Sequence, residues 1–477
     1  MFSRVTRKYI NSVLTILLMF LLPEIIHPVG PLTDYGIQVI AIVAGVVYGW
    51  CTVDFIWPSI LGLIIYGFCG TNTVTGVFSA MAGNTILLQV ISLYIFSGLI
   101  VECGISEGIA KRLINMKITQ NHPAILNFLL LAGALLPAPF ISINSMVIVW
   151  KLIYEIADTT GLKRSGRWAV IMVYMSAAAS TLGICLFPFM GPNVALWGIV
   201  SSVDADLILP QVEFIAYAVT FMPACLLAFT FFTGLYARKD MDALRRYKPT
   251  GGIIPFNAVQ KSILAGLGGM FILMILPSIF PASFIGSFLG NVGNTGIVWI
   301  IICVFLFVQK EQGPLFHFQK IARESVPWPV IISIGTIFTL SNAFNLPETG
   351  ITDFLLQIFA PVLEGHSPYI FAFTAIAFTI VATNFINGAV VASIIIPIVC
   401  SFKHIIGEEM VLALLIIIIT TDQLGIFMPS GGATGTMLYT NTDKISPKEI
   451  MFFSSFTMAA ILVLSMAVAL PVLILAI

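Results

Sequence analysis

Apolar stretches long enough to cross a bilayer recur from one end of this chain to the other, and they constrain the fold more than any other feature. A helix needs about 20 residues to cross roughly 30 Å of hydrocarbon, and stretches of that order begin near residues 9, 35, 84, 212, 257, 293 and 449. A run such as Leu412 to Ile419 is apolar on every side. A transmembrane β-barrel would instead alternate apolar and polar residues over segments of about 10. Only 9% of the 477 residues are charged, against roughly 25% in a soluble domain. An all-α polytopic membrane protein is therefore expected, with the lipid bilayer as its main solvent. The zero net charge gives no footing for a nucleic-acid partner.

The first apolar stretch follows Arg4, Arg7 and Lys8 and lacks the small-residue cleavage pattern of a signal peptide, so it reads as a retained first helix. The seven cysteines lie in or beside apolar segments without Cys-x-x-Cys spacing, which predicts free thiols packed between helices. No His-x-x-x-His, Gly-x-Ser-x-Gly or clustered His is present, which argues against an enzyme.

The basic residues set the topology. Nineteen of the 22 Lys and Arg fall in six clusters, 4–8, 111–117, 163–167, 238–248, 310–323 and 444–448, which are expected to face the cytoplasm. The connections at 28–36, 70–83, 200–213, 281–296 and 344–366 hold none and are assigned outside. About eleven transmembrane helices join the two sets. The N-terminus is then cytoplasmic and the C-terminus outside, in the cell membrane. Lys403 is the one basic residue on the wrong face. Segments 122–160 and 367–403 have two apolar arms each yet begin and end on one side, so both are expected to be re-entrant hairpins.

The chain also resembles itself at a separation of about 240 residues. Glu107–Leu113 matches Thr349–Leu355 as a helix lying along the membrane surface. Ser142-Ile143-Asn144-Ser145 matches Ala382-Thr383-Asn384-Phe385 at the hairpin turns, and the interruption 187–193 matches 427–435. One hairpin enters from each side, which makes an inverted-topology repeat. The expected organisation is a first helix in 1–34, repeat 1 in 35–237 with hairpin 122–160 and broken helix 167–203, and repeat 2 in 257–477 with hairpin 367–403 and broken helix 407–440.

Non-helical backbone in hydrocarbon survives only where protein or a polar cavity covers it, because each unpaired N–H or C=O costs several kcal/mol. The four interruptions therefore predict a ligand-lined interior. Hairpin tips present helix N-termini that favour an anion, with Ser142, Asn144, Ser145, Thr383 and Asn384 as supplementary donors. The broken helices leave carbonyl oxygens for a hard cation. One Na⁺ site is expected at Asn144, Gly191 and Asn193, and a second at Asn384, Ser430, Gly431 and Thr434. Asp422, just before the second interruption, reads equally as a cation or proton ligand and as a locally paired cap. Lys151 and Glu155 have the spacing of a helical ion pair.

At these residues the chain resembles the divalent-anion:Na⁺ symporter family, the dicarboxylate, citrate and sulfate carriers of the ion-transporter superfamily. That family carries Ser-Asn-Thr at each hairpin tip. Ile143-Asn144-Ser145 and Thr383-Asn384-Phe385 keep the Asn and lose one flanking hydroxyl each. Its Thr-Pro-Pro-Asn-like loops are half preserved as Gly191-Pro192-Asn193, and the second reads Pro429-Ser430-Gly431-Gly432-Ala433-Thr434. The resemblance implies a Na⁺-coupled carrier of a small dicarboxylate or citrate-like anion, working as a homodimer by an elevator form of alternating access. An exchanger of the same fold that needs no Na⁺ is the nearest rival, and a channel is a more distant one. Asn144→Ala and Asn384→Ala are each expected to abolish uptake and leave the fold intact.

Overall fold

Two helices apolar on every face set the middle of the molecule, as such helices must. In Arg167–Gly183 every residue from Trp168 onward is buried, and in Glu408–Thr421 every residue from Met410 onward is buried. The computed structural model describes residues 4–477 apart from 71, 142–143, 249–254, 311–312, 315–316, 345, 352, 355–356, 358–366 and 441–444. Among the described residues the only strands are a two-residue antiparallel ladder, Gln309–Lys310 with Gly313–Pro314.

Each central helix is the first half of a broken one. Arg167–Gly183 resumes as Gly191–Val203, and Glu408–Thr421 resumes as Ala433–Thr440. Arg167–Gly183 packs against both arms of the first hairpin, Pro123–Leu135 with its extension Ala138–Ile141, and Asn144–Thr160. Glu408–Thr421 packs in the same way against both arms of the second, Pro368–Thr383 and Gly388–Ser401. The units interlock, because Gly191–Val203 reaches the second hairpin and Arg167–Gly183 touches Ala433–Thr440.

Eight described helices are long and apolar enough to span a membrane, and one of these, Pro123–Ile141, is a hairpin arm. With the bent pair Phe318–Ser325 and Trp328–Ala343 counted as one span there are nine among the described residues, against the eleven or so expected, and Ile56–Tyr66 is a shorter apolar helix. Polar caps close several helix starts that lipid would leave unpaired. Asn84 accepts from the N–H groups of Ile86 and Leu87, and Asn257 with Gln260 and Ser446 with Glu449 form capping boxes. The periphery carries the exposed apolar surface expected of a lipid-facing rim, including Phe284, Phe307 and Leu475.

Several local expectations need correction. Cys51 and Cys303 are exposed and not packed between helices. Lys151 and Glu155 form no ion pair, and Asp158 pairs with Arg164 at 2.5 Å. The connection 70–83 carries the short helix Val74–Ala82. The stranded Lys403 is neutralised on its own face by Asp204 at 3.3 Å and Glu408 at 3.1 Å, so it does not disturb the charge pattern. The first surface helix is present as Ile105–Ile114, entered through Gly104 at φ +67°. Gly350 repeats that conformation at φ +64°, although part of the second copy, 349–355, lies outside the described residues. A further amphipathic helix, Phe318–Ser325, buries Ile321, exposes Lys320, Arg323 and Glu324, and bends by 68° into Trp328–Ala343.

Candidate functional site

The first hairpin tip and the first break open onto one cavity of about 280 Å³. Asn144 begins the second arm of the hairpin and exposes its side chain, and Gly191 and Pro192 begin the resumed helix; all three line the cavity. Two helix N-termini therefore converge on one space. The residue before Gly191, Met190, offers no side-chain acceptor to the free N–H groups there, so those donors stay available to a ligand, and both helix dipoles favour negative charge. Ser145 is buried, with its Oγ 2.5 Å from Ser180 Oγ, which ties the tip to the central helix. Ser142 lies outside the described residues.

The opposite wall comes from residues the sequence pattern did not mark. Tyr94, Ser97 and Gly98 on Thr85–Glu102, with Glu324 and Ser325 at the end of the amphipathic helix, complete the cavity. Ser97 Oγ donates to the Phe140 carbonyl and pins this wall to the hairpin arm. A Cβ on Gly98 would overlap the Ser325 hydroxyl, so glycine is what lets the amphipathic helix close the cavity. No local motif announces such a contact between residues more than 200 positions apart.

Behind the break, Asn193 is 1% exposed. Its Nδ2 donates to the carbonyls of Cys185 (3.2 Å) and Phe187 (2.7 Å), while its Oδ1 is buried without a hydrogen-bond partner. Buried polar atoms are rarely left unpaired. An unpaired amide oxygen beside unwound backbone fits the oxygen-only demand of a hard cation such as Na⁺. Among the described residues no group of three His, Cys, Asp or Glu is placed to hold a transition metal.

The second tip is built differently. Asn384 is 1% exposed, and its Oδ1 accepts from the backbone N–H of Ile426 (3.0 Å) and of Phe427 (2.9 Å). Its Nδ2 donates to the Ile380 carbonyl at 2.6 Å. Thr383 donates to the Asp422 carbonyl, and Ser430 donates to the Phe385 carbonyl at 2.8 Å. These side chains brace the second break. At Gly431 a Cβ would sit 2.8 Å from the Thr383 carbonyl and 3.0 Å from that of Asn384, so backbone oxygens crowd the space where a side chain would be. Thr434 meets Thr181 through their hydroxyls at 3.1 Å. Through Ser145–Ser180 and Thr181–Thr434 the two tips and two breaks form one hydrogen-bonded body.

A second cavity of about 240 Å³ touches the first break through Pro188, Phe189 and Val194 and runs beside Leu207–Gln211. At the break, Phe187 and Phe189 both pack on Phe271, with ring centroids 4.5 and 4.7 Å away.

Comparison with known proteins agrees with this architecture. A crystal structure of the Alcanivorax borkumensis YdaH transporter, described as revealing an unusual topology, has a similar fold with a TM-score of 0.57. The two share 13% identity, and the match covers 82% of this chain and 86% of that one. No curated protein matches the sequence. Residues 38–420 match the family model described as citrate transporter, CitMHS. The chain therefore belongs to the citrate transporter family, as a multi-pass secondary anion transporter and not an enzyme.

Proposed function

We propose that this protein is a Na⁺-coupled carrier of citrate or a closely related di- or tricarboxylate, with the anion held in the cavity at Asn144. The observation that carries this reading is the meeting of two helix N-termini, at Asn144 and Gly191, in one space. Its volume, about 280 Å³, lies near the roughly 300 Å³ lower end of ligand pockets, which suits a small anion. Among the described residues no Lys or Arg lines it, so N–H donors, the Ser325 hydroxyl and a bound cation would balance the carboxylates. The Na⁺ would be held by the Asn193 amide oxygen and break carbonyls near Asn144 and Gly191, with a second ion on backbone oxygens of the segment at Asn384, Ser430, Gly431 and Thr434, whose side chains brace the break. When bound, it supplies positive charge beside the anion.

The cavity arrangement supports alternating access. By the distribution of basic residues, the Glu324 side of the first cavity faces the cytoplasm and the 200–213 side of the second faces outside. The hydrogen-bonded body of tips and breaks is the part that moves, in the elevator manner, with each subunit of a homodimer carrying its own site.

Uptake of labelled citrate and C4-dicarboxylates into proteoliposomes tests this, with the Na⁺ gradient, the pH gradient and the internal anion varied separately. Na⁺-driven accumulation that disappears in Asn144→Ala, with the folded protein still recovered, is the expected result. Counterflow that runs unchanged without Na⁺ would favour the exchanger, and absence of any anion flux would refute the reading.

A further inference from the structure

One buried carboxylate in the bundle has no countercharge. Asp422 caps Glu408–Thr421 at the second break and is 1% exposed. Its Oδ1 is buried without a hydrogen-bond partner, and its Oδ2 receives one long bond, 3.3 Å from Gln423 Nε2. It takes part in none of the ion pairs among the described residues, which involve Lys111, Arg164, Arg245, Lys320 and Lys403. Among the described residues, Cys185 of the first break is a titratable neighbour, and its thiol lies 3.8 Å from the Ile419 carbonyl.

Both sides of the second hairpin tip close on this residue. Thr383 donates to its carbonyl, and Gly388, the first residue of the second arm, packs so tightly that a Cβ would lie 2.8 Å from Oδ2. The N-terminus of that arm offers only partial charge. Its first turn is also already served, because Asn387 Oδ1 accepts from the Ala389 N–H at 3.0 Å. An ionised carboxylate in such a place is strongly unfavourable unless a cation joins it. The backbone oxygens crowded at Thr383, Asn384 and Gly431 supply further ligands of the kind Na⁺ takes.

We propose that Asp422 is the anionic ligand of the second Na⁺ site, where the bound ion supplies the countercharge that the fold does not. The inference rests on the Na⁺-coupled reading above and assigns its coupling to one residue.

Two measurements test it. Asp422→Asn keeps the shape and removes the charge; the variant is expected to lose Na⁺ stimulation of uptake. In wild-type protein, modification of Asp422 by dicyclohexylcarbodiimide, read by peptide mass, is expected to slow in Na⁺ and not in choline. This second readout stands even if the variant fails to fold. Full Na⁺ stimulation in Asp422→Asn, or labelling indifferent to Na⁺, would overturn the assignment. Loss of all anion flux by the wild type would instead remove the functional reading on which it rests.

Discussion

Replacing Asn384 with alanine separates a bracing residue from a ligand. The side chain is 1% exposed and is the acceptor for two backbone N–H groups, those of Ile426 and Phe427. Alanine leaves both donors unpaired where water has little access. Each such donor costs about 1–3 kcal/mol, so the pair costs about 2–6 kcal/mol. At a few degrees per kcal/mol, and less for a long chain, that corresponds to a fall in the unfolding midpoint on the order of 5 °C. Asn144 exposes its side chain to the cavity, and its replacement by alanine should stay within about 0.5 kcal/mol. Once the accessible thiols, Cys51 and Cys303 among them, are blocked in the folded protein, a thiol-reactive dye reports the midpoint of the purified protein in detergent, because Cys185, Cys225 and Cys400 are buried and free. Asn384→Ala is expected to unfold clearly earlier than wild type, and Asn144→Ala at the wild-type midpoint. An Asn384→Ala protein with a wild-type midpoint and no transport would show that Asn384 serves the ligand, and the bracing argument would fail.

Two further expectations follow from the same geometry. Gly431→Ala forces a methyl against the carbonyls of Thr383 and Asn384 and should lower folded yield and the unfolding midpoint, whereas Gly191→Ala meets only the Tyr94 ring at 3.8 Å. The latter should fold normally and raise the KM for the anion by narrowing the cavity; an equal loss of stability in both would contradict the packing account. Glu324→Gln removes a negative charge from the cavity lining and should lower the cytoplasmic-side KM at low salt. One charge is worth about 1 kcal/mol at 4 Å in water, less with distance, so the change should be roughly twofold to fivefold and should fade as salt rises. A KM in inside-out vesicles that ignores both the substitution and the salt would refute it.

The parts of this fold that the sequence made legible are those where lipid enforces a rule. Apolar length located the spans. Pro and Gly inside otherwise apolar helices located both breaks, because unpaired backbone is too costly in hydrocarbon to occur by chance. The two asparagines could be placed at tips by their 240-residue spacing, yet nothing local says that Asn384 turns inward onto Ile426 and Phe427 while Asn144 faces open space. That difference depends on a close approach between segments about 40 residues apart. The wall at Ser97, Gly98 and Ser325 was invisible for the same reason, since an amphipathic helix in repeat 2 meets a spanning helix in repeat 1 only after folding. Asp422 was ambiguous because capping and cation binding use the same side chain, and a local sequence pattern does not separate them.

The cavity at Asn144 is assembled from two kinds of part: tip and break on one side, Thr85–Glu102 and Phe318–Ser325 on the other. In the elevator cycle proposed above, a cargo small enough to be gripped by the first set alone would leave with it. A longer molecule that fills the Asn144 notch and also reaches Ser325 would be fastened to both, a wedge across the sliding seam. Extending a citrate-like headgroup toward Ser325 is thus a rational route from a transported compound to an inhibitor that jams the cycle.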